Sequence, residues 1–284
     1  MIENNQSQKN PEQERPLTPE EKWESATLAN NFIFYKVMRH HPEACRHLIE
    51  MLLKIKIERM EIHNEEVIDI DHDSKSIRLD VYVKDSERLY DIEIQTTDTK
   101  DLPERARYYQ ALMDLDTLKM GQQYKDLKES HVIFICLDDI FHKKLPVYTF
   151  ENTCIEDNRI KLNDRTVKHF FIAETCAKMI EDEEAKSFFE FLISNRPSDK
   201  YTSDLDGYVI DAKHNMQWRF QYMTIERMQS YAFDAGERKG EQKKALETAK
   251  NLLKENIPEE TIARCIGLSL EEVMKLAAEI NAER

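Results

Sequence analysis

Residues 77–95 read Ile77-Arg-Leu-Asp-Val-Tyr-Val-Lys-Asp-Ser-Glu-Arg-Leu-Tyr-Asp-Ile-Glu-Ile-Gln95, two alternating segments joined by a polar turn. In the first, Ile77, Leu79, Val81 and Val83 point one way, and Arg78, Asp80, Tyr82 and Lys84 point the other. In the second, Tyr90, Ile92 and Ile94 share a face, and Asp91, Glu93 and Gln95 share the opposite one. Period-two alternation predicts strands with one buried face. Asp85-Ser86-Glu87-Arg88 supplies the turn, without the Asn-Gly pair that marks the tightest hairpins. Symmetric closure sets Lys84 opposite Leu89, Val83 opposite Tyr90, Tyr82 opposite Asp91 and Asp80 opposite Glu93. Asp91 is expected at the rim.

Directly opposed side chains in an antiparallel pair have Cβ atoms only about 4.5–5.5 Å apart. Two carboxylates at that spacing repel, and a divalent cation between them removes the repulsion. Gln95, two residues beyond Glu93 on the same face, adds a neutral polar group. Oxygen ligands on rigid strands suit Mg²⁺, which takes one or two carboxylates and completes its shell with water and substrate phosphate.

An Asp followed by Glu-x-Gln on the next strand resembles the active-site motif of the PD-(D/E)XK nuclease superfamily, with Gln where Lys is usual. The wider series is more specific than the short motif. RLDVYVKD, YDIEIQ, Arg105-Ala-Arg107-Tyr108-Tyr109-Gln110 and HVIFICLDDIF, in that order, resemble the Rpn family of recombination-promoting nucleases and transposase-like proteins. The similarity is read from about Asn30 to the C-terminus. It implies a DNA substrate, Mg²⁺ or Mn²⁺ as cofactor, and phosphodiester hydrolysis. Asp80, Glu93 and the backbone carbonyl of Ile94 would hold the metal, and Gln95 would orient water or bond a phosphate oxygen. In the superfamily the helix before the core strands often supplies another acid, and Glu50 is the candidate here. The alternative for Glu50 is a solvated side chain on an amphipathic helix.

Bulk properties bound these expectations. The chain has 284 residues, enough for one substantial core and a smaller appendage. No run is apolar enough to span a bilayer, and the polar start MIENNQSQKNPEQERP has no apolar core of a signal peptide. The expectation is a cytoplasmic protein without membrane contact. Five cysteines are scattered without CxxC spacing, which predicts free thiols. The net charge of −14 argues against tight non-specific DNA binding, because that affinity comes from Lys and Arg displacing counterions.

Along the chain, residues 1–17 are expected to be a disordered tail. Thr18-Pro19-Glu20-Glu21 starts a helix expected to run to about His40, and Pro42 opens a second. Ile55 to Asp71 reads as a first strand. Pro103 starts a helix that places Arg105, Tyr108, Tyr109 and Leu112 on one side. Its N-terminus follows the hairpin, so Arg105 and Tyr109 are candidates to bind phosphate. In the alternative, Tyr108 and Leu112 are core and the arginines are solvated. His131–Leu137 is a continuous apolar run suited to a central strand. Asp138-Asp139 after it reads as turn chemistry. Tyr148–Cys154 and Thr166–Ile172 predict a hairpin around Asn163-Asp164, and Glu181–Ser194 a helix.

The polar stretch Pro197–Gly207 is the expected domain boundary. Beyond it the pattern is helical, ending in a helix-turn-helix-like pair with Pro258 at a start, Gly267 at a stop and Ser269–Glu272 as a capping box. Its second helix is acidic, which favours packing or homo-oligomer formation over reading DNA. The expected architecture is therefore an α/β, PD-(D/E)XK restriction-endonuclease-like core, a mixed sheet flanked by helices at 18–200, with an all-helical extension at 201–284. The competing functional reading is a nuclease fold retired to an interaction module. The acidic charge and Gln95 favour that reading, and the facing pair Asp80 and Glu93 opposes it.

Overall fold

The computed structural model describes residues 15–62, 81–97 and 99–282. The tail before residue 15, most of the expected first strand and the arm from Ile77 to Asp80 lie outside them. Among the described residues six strands form one sheet: β1 (Glu61–Ile62), β2 (Val81–Lys84), β3 (Arg88–Gln95), β4 (Glu129–Cys136), β5 (Val147–Phe150) and β6 (Thr166–Ile172). Their spatial order is β1-β2-β3-β4-β6-β5. The outer pairs are antiparallel, while β3–β4 and β4–β6 are parallel, giving the mixed sheet expected.

Each strand's place follows from its composition. Parallel strands are buried on both faces and read as unbroken apolar runs. β4 fits that rule, with every residue from Ser130 to Cys136 buried. The β2–β3 hairpin closes in the expected register, Lys84 opposite Leu89, Val83 opposite Tyr90 and Tyr82 opposite Asp91, with Val81 opposite Ile92. The amide of Asp85 donates to the Arg88 carbonyl at 2.9 Å, and the Lys128 ammonium donates to the Asp85 carbonyl at 2.8 Å.

β3 departs from the alternation argument, because its polar face is covered too. A parallel β3–β4 pair needs a crossover, and that crossover is α4 (Leu102–Thr117), laid over the polar face. Leu102, Ala106, Tyr109, Leu112 and Met113 share one core cluster with Val132, Phe134 and Phe170. Asp91, expected at the rim, is instead fully buried.

The remaining helices of this unit are α1 (Pro19–Ser25), α2 (Asn31–His40), α3 (Pro42–Leu53), α5 (Ala173–Met179), α6 (Glu183–Ser194) and α7 (Lys200–His214). The single helix expected from Thr18 to His40 is two. Thr18 and Glu21 form a capping box on α1. Asn30 then starts α2 afresh, its side chain accepting from the amides of Phe32 and Ile33. The β5–β6 hairpin forms, with its tip displaced to Asp157–Ile160 and an isolated bridge at Thr153 and Lys161. All five cysteines are free, three of them buried.

The first compact unit extends to Arg219, past the boundary expected near 200. The polar stretch at Pro197 is the cap of α7: Asp199 and Thr202 form a reciprocal capping box. Tyr201, Leu205, Val209 and Ala212 of α7 are buried, and the Tyr201 hydroxyl donates to the Ala44 carbonyl at 2.9 Å. The second unit, Phe220–Arg284, holds most of α8 (Met216–Lys254) with α9 (Glu259–Ile266) and α10 (Leu270–Ala282). Ala249, Ile262, Val273 and Leu276 are its core. Gly267 ends α9 at φ 79°, and Ser269 with Glu272 caps α10. No described helix is long and apolar enough to cross a membrane.

The sheet face opposite α4 carries a polar chain. Thr149 Oγ1 lies 3.3 Å from His169 Nδ1, His169 Nε2 lies 3.1 Å from His131 Nδ1, and His131 Nε2 lies 2.9 Å from Glu129 Oε1. With both imidazoles neutral the donors run one way, from the Thr149 hydroxyl to the Glu129 carboxylate. Burial, then the neighbouring His131, pushes His169 down to about 4, and burial lowers His131 as well. The folded pKa of His169 lies below its unfolded value, so the unfolded chain takes up the proton first. Stability is therefore full above about pH 6.5 and declines towards pH 4, by about 3 kcal/mol for His169. Urea unfolding between pH 4 and 7 should show this slope, and His169→Gln should flatten it.

Truncation tests the domain edge. A chain ending at Arg219 should unfold cooperatively by circular dichroism, whereas one ending at Pro197 should not, because the surface buried by α7 is then exposed.

Candidate active site

The site is built where the end of β3 meets the first turns of α4. β3 turns Glu93 and Gln95 towards α4, where they are 2% and 7% exposed. Arg105 and Tyr109 follow one turn apart on the helix, so their side chains meet. A buried carboxylate needs a partner of opposite charge, and Arg105 provides it. Its Nη2 donates to Glu93 Oε2 at 3.1 Å, and its Nη1 donates to Gln95 Oε1 at 2.9 Å. Nε and Nη2 also donate to the Tyr109 hydroxyl, at 3.2 and 3.0 Å. The guanidinium carbon sits 5.5 Å from the ring centres of both Tyr109 and Phe134. Gln95 Nε2 donates to the Thr97 carbonyl, which leaves Oε1 for the arginine.

Electrostatics follows from this packing. Burial opposes the charge on Arg105, but the Tyr109 hydroxyl, Glu93 and Asp101 together raise its pKa above the ordinary value. Burial, then the negative charge of Glu93, raises the Tyr109 phenol, so it stays protonated.

Further contacts hold α4 in place. Gln110 Nε2 donates to the carbonyl and hydroxyl of Ser130, both at 3.0 Å. Asp116 accepts from the Tyr82 hydroxyl at 3.1 Å and pairs with Lys84 Nζ at 2.5 Å. Sequence reasoning missed Asp116, although a signal was present: Arg105, Tyr109, Leu112 and Asp116 fall on one helical stripe. Tyr82 and Lys84 on the polar face of β2 are the natural partners of that stripe.

The other site candidates lie as follows. Asp80 is outside the described residues. Ile94 is buried in β3 opposite Ile135. Glu50 is engaged at the end of α3, accepting from the Ile57 amide at 2.8 Å and from Lys56 Nζ at 2.9 Å. The Ile57 amide, against a smaller effect of burial, holds its carboxyl below the usual range. Asp139 closes its turn, accepting from Tyr148 and from the amides of Phe141, His142 and Lys144. Among the described residues no group of three or more His, Cys, Asp or Glu side chains is placed to hold a metal ion. Glu93 and Gln95 are nevertheless hard oxygen donors of the kind Mg²⁺ takes sparingly.

The Tyr109 hydroxyl tests this cluster without touching its charges. Tyr109→Phe should lower stability in urea by about 1–2 kcal/mol, since two hydrogen bonds from a charged donor are lost.

The profile of the PD-(D/E)XK nuclease family transposases matches residues 40–249, well over half of the chain. That span contains the whole sheet, α4 and much of α8, and is narrower at both ends than the resemblance read from the sequence. Among curated proteins and solved structures no match is found. A mixed sheet flanked by helices is consistent with the α/β fold of that family, and the chain belongs to the PD-(D/E)XK nuclease family transposases.

Proposed function

We propose that this protein is a metal-dependent DNA endonuclease that hydrolyses phosphodiester bonds in recombination or mobile-element biology. The observation that carries the reading is Glu93, a carboxylate buried at the end of a rigid strand and faced by the Arg105 guanidinium. A chain with no chemistry to perform gains little from such a pair, since replacing a buried ion pair by apolar side chains is often neutral or stabilising.

Asp80 and Glu93, with the Ile94 carbonyl, are the proposed ligands of Mg²⁺ or Mn²⁺. The observed pairing of Val81 with Ile92 supports this, because the next pair along the same register would be Asp80 with Glu93. When bound, the metal supplies Lewis-acid polarisation of the phosphate and lowers the pKa of its water, so no separate side-chain base is required. Arg105 and Tyr109 are the proposed phosphate contacts, a partly exposed guanidinium and the buried, protonated phenol that it bonds. Against a net charge of −14, binding through a single local cation should be weak and only shallowly salt-dependent, because the slope scales with the number of phosphates neutralised.

Self-association is proposed for the second unit. Its helix α8 carries exposed Met228, Tyr231 and Phe233, each more than 60% accessible. Light scattering of the full chain against a triple Ala variant at these positions reads it directly: a dimer that becomes a monomer supports it.

The nuclease reading is tested by plasmid nicking with Mg²⁺ or Mn²⁺. Asp80→Asn and Glu93→Gln should each reduce nicking by at least about a hundredfold. Asp80→Asn should leave the metal-free protein as stable or slightly more stable, because one of two repelling charges is gone. Absence of nicking by the unaltered protein, together with no heat on titration with Mg²⁺, would favour the interaction-module reading.

A further inference from the structure

We infer that Arg105, carried on α4, is the catalytic cation of this site, and that Gln95 is a positioning residue that aims it. The inference rests on the nuclease reading and reassigns Gln95, which the sequence places among the groups that touch water or phosphate. The amide of Gln95 is committed at both ends, its Nε2 to the Thr97 carbonyl and its Oε1 to Arg105 Nη1 at 2.9 Å. A side chain held that way is a bracket for the guanidinium. It has no charge to offer a phosphate whose negative charge grows during cleavage.

Arg105 has both charge and access. Its side chain is 28% exposed where that of Glu93 is 3%, so the guanidinium is the part of the pair that solvent, or a strand of DNA, reaches. Glu93, Gln95 and the Tyr109 hydroxyl fix the fork from three directions, and the Phe134 and Tyr109 rings flank it. A cation locked before substrate arrives needs no reorganisation during reaction, which is what makes such a group effective. The bracket takes four of the five N–H donors of Arg105, which leaves one, on Nη1, for a phosphate oxygen. Oε2 of Glu93, a proposed metal ligand, accepts directly from the arginine. The cation and the proposed metal ligand are thus joined through one hydrogen bond.

The test compares the full-length protein with Arg105→Gln, Gln95→Lys and the double variant, in plasmid cleavage with Mn²⁺ and in fluorescence anisotropy of a labelled duplex with Ca²⁺. Arg105→Gln should cut cleavage about 10²–10³-fold. Gln95→Lys in that background moves a cation to the bracket position and should recover activity to within about tenfold of the unaltered protein, a clear departure from additivity. Millimolar guanidinium should partly rescue Arg105→Ala. Additive losses in the double variant, or undiminished cleavage by Arg105→Gln, overturn the inference. If the unaltered protein binds the duplex but does not cut, the nuclease reading and with it the catalytic role of Arg105 are overturned; binding lost in Arg105→Gln and regained in the double variant then supports only the part of the inference in which Gln95 aims the cation at DNA, and equal binding overturns that part too. Neither cutting nor binding overturns both. Should Arg105→Gln not fold, Gln95→Leu carries the test, with cleavage or duplex affinity down about tenfold at an unchanged Mg²⁺ titration supporting the bracket and no loss overturning it.

Discussion

A carboxylate almost wholly removed from water sits at the end of β3, and much of this structure is arranged to make that tolerable. An isolated buried charge costs several kcal/mol, and removing one partner of a buried pair is far more damaging than replacing both. Glu93 is therefore workable only if Arg105 reaches it, and Arg105 reaches it only if α4 lies across the polar face of the sheet. The contacts of α4 with Ser130 and with the β2 side chains Tyr82 and Lys84 fix where the helix lies. The parallel pairing of β3 with β4 makes a crossover necessary in any case. One helix thus answers a topological demand and an electrostatic one.

The two faces of the sheet are treated differently. On the α4 face two ion pairs are buried between sheet and helix, Glu93 with Arg105 and Lys84 with Asp116. On the other face His131 and His169 are held neutral in a one-way hydrogen-bond chain ending on Glu129. Stacking of Tyr90, His131 and His169 continues that chain with ring contacts across the sheet. The imidazoles there are polar without charge, and the charge of the chain sits at its end, where Glu129 also pairs with Arg88 at 3.5 Å.

Much of this was legible in the residues. The β2–β3 register follows from alternation because a slip of one residue would turn every apolar side chain outward. β4 follows from its unbroken apolar run, and the helix pair at the C-terminus from its cap residues. Two kinds of feature were not legible. Alternation in β3 says which residues share a face but not that a helix will cover it, so the burial of Asp91 could not be read locally. The start of α2 after the cap Asn30 lay inside what read as one continuous helix, and the start of α7 after the cap Asp199 lay inside a polar stretch that read as a break; only long-range burial of residues such as Leu205 tells a capped helix from a break. Within the site, the roles of Glu93 and Gln95 are suggested by spacing. Their shared partner is ten and twelve positions further along the chain and visible only in three dimensions.

β4 has a further consequence for how the molecule comes apart. It is the one described strand with parallel neighbours on both sides, and its residues from Ser130 onward are buried. Both of its partners are distant in sequence, so no local fluctuation can release its amides. Contacts of that kind form late and slowly, since long loops must close before they repay the entropy lost. Hydrogen exchange in β4 should therefore report global unfolding alone, while the exposed central turns of α8 exchange by local opening.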